Sequence, residues 1–232
     1  MKTRRSRYMR HRFPPAIISH AVWLYYRFNL SFRDVEDLLA ERGVNVTYET
    51  IRQWSMKFGS QYARRLKRRQ GRVGDTWYLD EVFITINGER HYLWRAVDQD
   101  GDVIDILVQA RRDGRAAKRF FRKILKSQRD KPFRLVTDKL GSYRVAHREV
   151  MPSVTHGTSR YANNRAEVSH QPTRQRERQM RHFKSPDQAQ RFLNVHGVIQ
   201  NLFRLCRHRL RAGHHRMLRA RSFSTWAAVT AG

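Results

Sequence analysis

The sequence predicts an α/β protein: a mixed sheet flanked by helices, preceded by an all-α segment. Three observations carry this. Up to about residue 72, apolar positions recur at helical spacing between capping residues. From Thr76 the pattern changes to alternation in "TWYLDEVFITI", "RHYLWRAVD" and "VIDILVQA", separated by Asn87-Gly88 and "QDGD". Beyond them an amphipathic stretch and one more short apolar run follow in turn. With 232 residues and 40% hydrophobic content, the chain can build one mid-sized domain and a smaller one.

Residues 1–12, "MKTRRSRYMRHR", read as a basic arm. Pro14 and Pro15 suit the first turn of a helix that continues through Ile17, Ile18, Val22, Leu24 and Tyr25. Ser31 can cap a second helix, with Asp34 three residues on, Val35, Leu38 and Leu39 as its stripe and Gly43 ending it. Thr47 can cap a third, in which Ile51, Trp54 and Phe58 face inward while Glu49, Arg52, Gln53 and Lys57 face out. Two helices joined by a glycine-containing turn, the second basic on its outer face, form a helix-turn-helix signature. "QYARRLKRRQGRVG" then reads as a cationic linker or a phosphate-contacting helix end.

The three alternating runs make an antiparallel meander. "RDGRAAKRFFRKILKS" is an amphipathic helix that buries Ala117, Phe120, Phe121, Ile124 and Leu125, with Asp113 near its start. Phe133 to Thr137 forms a buried strand ending at Asp138, and a helix follows. Strand-strand-strand-helix-strand-helix is the order of a ribonuclease-H-like domain. Phe192, Val195, Ile199, Leu202 and Phe203 mark a later helix expected to pack on the sheet, and Trp226 is expected to dock the tail. The expected divisions are 1–72, a basic arm and helix-turn-helix; 73–212, the ribonuclease-H-like domain; and 213–232, a C-terminal tail.

Charge narrows the partners. Lys and Arg number 48 against 20 Asp and Glu, a formal +28. Self-repulsion on that scale is tolerated most easily beside a polyanion, which favours nucleic acid. No apolar run is long enough to span a bilayer, and no signal peptide is recognisable, so a cytoplasmic protein is expected. One cysteine, Cys206, excludes an intrachain disulfide and a cysteine-based zinc site; its helical spacing reads as an inert packed thiol.

In so basic a chain the acids can be weighed one by one. Asp98, Asp100 and Asp102 cluster at a turn, where solvated Asp is ordinary, and Asp105 reads as facing solvent. Asp80 differs, lying inside an apolar strand where an unpaired carboxylate loses several kcal/mol of hydration. Asp138 ends another strand. If those strands are parallel neighbours, both carboxylates reach one edge, and a divalent cation relieves their repulsion. All-oxygen ligands suit Mg²⁺ or Mn²⁺, the clamp of an in-line phosphoryl displacement. Glu167, behind Asn163-Asn164, is the candidate third acid. Glu177, in an Arg-rich run, is its competitor, and Pro172 implies a helix start, bend or break nearby. The other reading is that Asp80 pairs with an arginine and Asp138 caps a turn.

"WYLDEVFITINGERHYLWRAVDQDGDVIDILVQARRDGRAAKRFFRKIL", "LVTDKLGSY" and "NNRAEVSHQPTRQRERQMRHFKS", preceded by "LSFRDVEDLLAERGVNVTYETIRQWSMKFG", resemble a bacterial insertion-sequence transposase of the IS6 family. The resemblance runs from about residue 12 to the C-terminus. It implies a DDE transposase with a ribonuclease-H-like core, in which Asp80, Asp138 and Glu167 match the catalytic, metal-binding acids. It further implies Mg²⁺-dependent hydrolysis of a strand at terminal inverted repeats, transfer of the freed 3′-hydroxyl into target DNA, and replicative cointegrate formation. The 28 residues between Asp138 and Glu167 are fewer than the family's commonest spacing, which reads as a shortened connection before the catalytic helix.

The expectation is therefore a transposase acting on double-stranded DNA, both inverted-repeat ends and target. A homodimer or higher homo-oligomer would pair two ends, and DNA-bound protein would lie in a bacterial nucleoid. Arg52, Gln53 and Lys57 are the candidate DNA readers of the third helix. Lys139, Arg174 and Arg178, with Arg176 and Arg181, are the candidate phosphate contacts. The rivals are a nuclease with the same core that never joins ends, and a non-enzymatic helix-turn-helix regulator.

Overall fold

A computed structural model of the chain describes residues 6–71, 73–128, 130–159, 163–205 and 210–231. Cys206 and the first residues of the basic arm lie outside them. In chain order the first elements are α1 (Pro15–Arg27), α2 (Phe32–Ala40), α3 (Tyr48–Arg69), β1 (Thr76–Ile86), β2 (Glu89–Asp98) and β3 (Val103–Gln109). Next come α4 (Gly114–Ser127), β4 (Arg134–Thr137), α5 (Gly141–Val150), β5 (Thr155–Gly157) and α6 (Asn164–Ser169). The chain ends with α7 (Gln171–Gln179), α8 (Pro186–Phe203) and α9 (Ala212–Thr230). Two compact units result: Met1–Gln70 with Val195–Gly232, and Gly71–Asn194.

The first unit is helical. Ser31 Oγ accepts from Asp34 N at 3.1 Å while the Asp34 carboxylate accepts from Ser31 N at 2.7 Å, a complete capping box at the start of α2. Gly43 turns the chain with φ +74°, where a side chain would be strained. Thr47 Oγ1 caps α3 by accepting from Thr50 N at 3.4 Å. Ile51, Trp54 and Phe58 are buried as expected, but Leu38 is 43% exposed, so α2 docks through Val35 and Leu39. The expected linker is helix as far as Arg69, because Tyr62, Ala63 and Leu66 continue the buried stripe of α3. Residues expected as a tail form α9, whose Trp226 meets Tyr62 edge-on at 5.4 Å. Val195, Ile199 and Phe203 group with this unit and not, as their spacing suggested, with the sheet.

The second unit is a five-stranded sheet in the order β3-β2-β1-β4-β5. β1, β2 and β3 form the antiparallel meander, while β4 is parallel to β1 and β5 parallel to β4. This is the ribonuclease-H-like arrangement. β1 is central, and one face of the sheet, through Trp77, Leu79 and Trp94, packs on Phe120, Phe121 and Ile124 of α4 and Tyr143 of α5. Truncating Phe121 would leave a ring-sized void there. Phe121→Ala is expected to destabilise this unit by about 3–5 kcal/mol, read as a lower urea midpoint at unchanged slope.

Several local expectations are overturned. Asp105 is buried at 3% exposure and ion-pairs with Lys123 of α4. Asp98 is also buried, its Oδ1 accepting from the backbone N–H of Asp100 at 3.0 Å and Asp102 at 2.9 Å. β4 starts at Arg134 and leaves Phe133 77% exposed.

Candidate active site

Parallel pairing of β1 with β4 sets Leu79 opposite Thr137. The next residue on each strand is an aspartate, so Asp80 and Asp138 arrive together at the same end of the sheet. β4 stops at Thr137, and the chain turns as Asp138 Oδ1 accepts from Leu140 N at 3.0 Å. Beyond Leu79, among the described residues, β1 has no named strand on that side, only the isolated bridge of Ile86 to Phe183 further along. Into this gap Glu81 also reaches: ligand oxygens of Asp80, Glu81 and Asp138 all lie within 4.8 Å of one another.

Glu81 was missed from the sequence because alternation assigns it to the opposite face from Asp80. The assignment is right, yet the faces meet where β4 ends. On the Asp80 side stands α6, with His170; on the Glu81 side stand α5 and the loop before α4, with Tyr143 and Arg112. The available signal was two adjacent acids inside one apolar strand.

Few cations compensate these acids. Arg112 donates to Glu81 Oε1 at 2.6 Å and approaches Asp138 Oδ2 at 3.9 Å, while the buried Tyr143 hydroxyl donates to Glu81 Oε2. Burial, then the Asp138 charge, pushes the Asp80 carboxyl up to about 6. Burial pushes Glu81 up to about 7 against the opposing effect of the Tyr143 hydrogen bond. His170 Nε2 lies 3.3 Å from Asp80 Oδ2, but burial, with Arg95 and Arg174 nearby, holds the imidazole well below its ordinary range and hence neutral. Among the described residues Asp80 has no Lys or Arg ion pair. The arginine partner that the alternative reading demanded serves Glu81 instead.

Such a cluster has the composition of a hard-cation site. Its donors are all oxygen, they converge, and among the described residues the one guanidinium ion-paired to them, that of Arg112, is committed to Glu81. Glu167 is exposed on α6 and is not a member of the cluster. Its helix is nevertheless fastened beside it. Asn163, just before α6, makes no side-chain cap but donates Nδ2 to Leu79 O at 2.8 Å. Arg95 of β2, buried, donates to Ser169 O and Thr173 Oγ1. Pro172 falls in the first turn of α7, where the break between α6 and α7 makes room for it.

The proposed DNA-facing side chains are exposed: Arg52, Gln53 and Lys57 on α3, Lys139 after β4, and Arg174 and Arg178 on α7. Arg176 is not, since it is buried with its guanidinium 5.4 Å from the Phe192 ring centre. Among the described residues, no helix is long and apolar enough to cross a membrane.

Comparison with known proteins places this geometry. A family model described as a DDE domain matches residues 74–205. The transposase for insertion sequence-like element IS431mec of Staphylococcus aureus is 35% identical over 159 residues, covering 66% of this chain and 70% of that protein. The transposase for insertion sequence element IS257 in transposon Tn4003, also of Staphylococcus aureus, is 34% identical over the same length, with the same coverage. Among solved structures, the HTLV-2 integrase catalytic core domain in complex with magnesium aligns with 59% of this chain and 90% of its own. Its TM-score is 0.42 at 13% identity.

Proposed function

The chain belongs to the IS6 family of DDE transposases, and on that premise we propose that it cuts DNA at terminal inverted repeats and joins the freed ends to target DNA. The observation that carries this is the convergence of Asp80 and Asp138 at the end of a parallel strand pair, with ligand oxygens within 4.8 Å. Binding DNA alone requires no such convergence, which argues against a purely regulatory protein.

Asp80, Asp138 and Glu167 are proposed to hold Mg²⁺ or Mn²⁺. A divalent cation there supplies the positive charge the cluster lacks and polarises the oxygens of a scissile phosphodiester. Asp80 and Asp138 would hold that cation where β4 ends beside the middle of β1, which fixes the place at which the reacting phosphate binds. Glu81, with both oxygens engaged by Arg112 and Tyr143, holds Arg112 at the cluster rim, where its charge faces incoming phosphate. Hydrolysis breaks the P–O3′ bond and leaves a 3′-hydroxyl, which then attacks a phosphodiester of the target while that target's own 3′-oxygen leaves. Arg52, Gln53 and Lys57 are proposed to read the inverted repeat, and Lys139, Arg174 and Arg178 to hold backbone phosphates. Pairing two ends calls for a dimer or larger assembly, and replicative transposition is the proposed outcome.

The test is incubation of purified protein with labelled inverted-repeat ends, a target duplex and Mg²⁺. Joined products are expected. Nicked ends that never join would favour a ribonuclease-H-like nuclease, and intact DNA would leave the regulator.

Metal dependence should also appear in stability. The Asp80 and Glu81 carboxyls are raised above their ordinary 3.8 and 4.5 to about 6 and about 7. Raised carboxyl pKa values contribute stability that is complete below the unfolded values and lost as pH climbs through the folded ones. Without metal, the melting temperature is expected to fall between about pH 4 and about pH 7, and the increment from added Mn²⁺ to grow over the same range. An increment equal at both ends of the range would contradict the cluster as the metal site.

A further inference from the structure

Beside the end of β3 an open cavity of about 440 Å³ is lined by His91, Gln109, Arg111, Asp113, Arg115 and Arg119, among others. Its acid and its amide are both tied to α4. The Asp113 carboxylate caps α4 by accepting from Ala116 N at 2.8 Å, and Gln109 donates inward to Ala116 O at 2.9 Å. The three arginines are exposed, and none pairs with a carboxylate among the described residues. Arg115 and Arg119 stand one turn apart on α4, about 6 Å along its axis, an arrangement of like charges that costs a few tenths of a kcal/mol in a bare helix. Arg111 lines the same cavity from the preceding loop. Its immediate neighbour Arg112 is the residue bonded to Glu81 in the acidic cluster.

We propose that this cavity is a second DNA-binding groove, which holds the phosphodiester backbone of the duplex next to the phosphate being cut or joined. It rests on the transposase reading for the identity of the reacting phosphate, but not for its own charge. Each strand of a duplex offers a phosphate about every 3.4 Å of axis, so a ridge of this length spans more than one of them. A mononucleotide or free phosphate could engage only part of it. The short step from Arg111 to Arg112 makes the groove continuous with the site of chemistry, so that backbone held by Arg111, Arg115 and Arg119 is set in register with Asp80 and Asp138.

The experiment compares the full-length wild type with two triple variants: Arg111→Gln/Arg115→Gln/Arg119→Gln, and a charge-matched control, Arg122→Gln/Lys126→Gln/Lys131→Gln. All six side chains are exposed, so both variants should melt as wild type does. Binding to a duplex without inverted repeats is measured across a salt series in the absence of metal. The groove variant should shallow the slope of log K against log salt by about 3, and the control by less than about 1. Equal slopes for the two variants, or a wild-type slope for the groove variant, would overturn the proposal. Loss of pyrophosphate binding with an unchanged duplex slope would also overturn it, making the cavity a small-anion site. The expected slope difference between the variants, together with wild-type protein that never cuts labelled ends with Mg²⁺, would instead defeat the transposase reading and leave the groove standing.

Discussion

Asp138→Asn is expected to lose strand cleavage and joining by about three orders of magnitude or more, with the fold intact. The substitution keeps the shape and removes the charge. An amide oxygen still accepts from Leu140 N, so the turn that ends β4 survives. The contact with Arg112, at 3.9 Å, lies at the outer limit of an ion pair and contributes little. Asp138 is also the second cause that raises the Asp80 carboxyl, so its neutralisation relieves repulsion inside the metal-free cluster. The melting temperature without metal should therefore hold or rise while activity collapses, and the Mn²⁺-induced increment should shrink. That combination separates a ligand from a structural residue, whose loss would lower both. The check is product formation from labelled ends beside a melting curve. Activity within tenfold of wild type would remove Asp138 from the proposed site.

The parts of this architecture that were legible in the sequence are those set by short-range patterns. Alternation and the Asn87-Gly88 turn are enough for the β1–β2 hairpin, because register there follows from turn length. Ser31 with Asp34 announces α2 by a bond that spans three residues. The parallel neighbour of β1 could be anticipated only as a condition, since it joins residues far apart in the chain. Charge misled in both directions. The Arg-rich run at the end of α3 hid the buried stripe of Tyr62 and Leu66, and a strand aspartate taken as solvated, Asp105, proved buried because Lys123 reaches it. β5, of three residues, is too short for any period to register.

Within the site, Asp80 and Asp138 were legible because each breaks or ends an apolar run. The arrangement around Glu81 was not. Arg112 comes from 31 residues away and Tyr143 from 62, and nothing local marks either as its partner. The same geometry explains why a buried acid lacking its own cation need not be paired by protein at all. Arg112 answers Glu81, and the deficit that remains at Asp80 and Asp138 is what the proposed metal would meet.

Glu167→Gln and Glu81→Gln are expected to separate cleanly. Glu167 is exposed, so its amide variant should fold and melt as wild type does, yet cleave at least about 100-fold more slowly as the third ligand is lost. α6 is suited to deliver it: His170, one turn further on, lies 3.3 Å from Asp80, and Asn163, one turn before, is tied to Leu79. Glu81→Gln should act differently. Oε1 and Oε2 of Glu81 are engaged by Arg112 and Tyr143, so ligating a metal would require breaking bonds already made. Removing its charge loosens Arg112 but also removes a buried anion whose carboxyl is raised to about 7, so above that pH the melting temperature should hold or rise. Its activity loss should come chiefly as weaker DNA binding at the cluster rim, seen as a raised KM more than a lowered kcat. The measurement is single-turnover cleavage of labelled ends with a melting curve for each variant. If Glu167→Gln cuts as wild type does while Glu81→Gln binds Mn²⁺ poorly and is inactive, the third carboxylate is Glu81. The metal would then be held from β1 and β4 alone, with α6 serving only to cover Asp80.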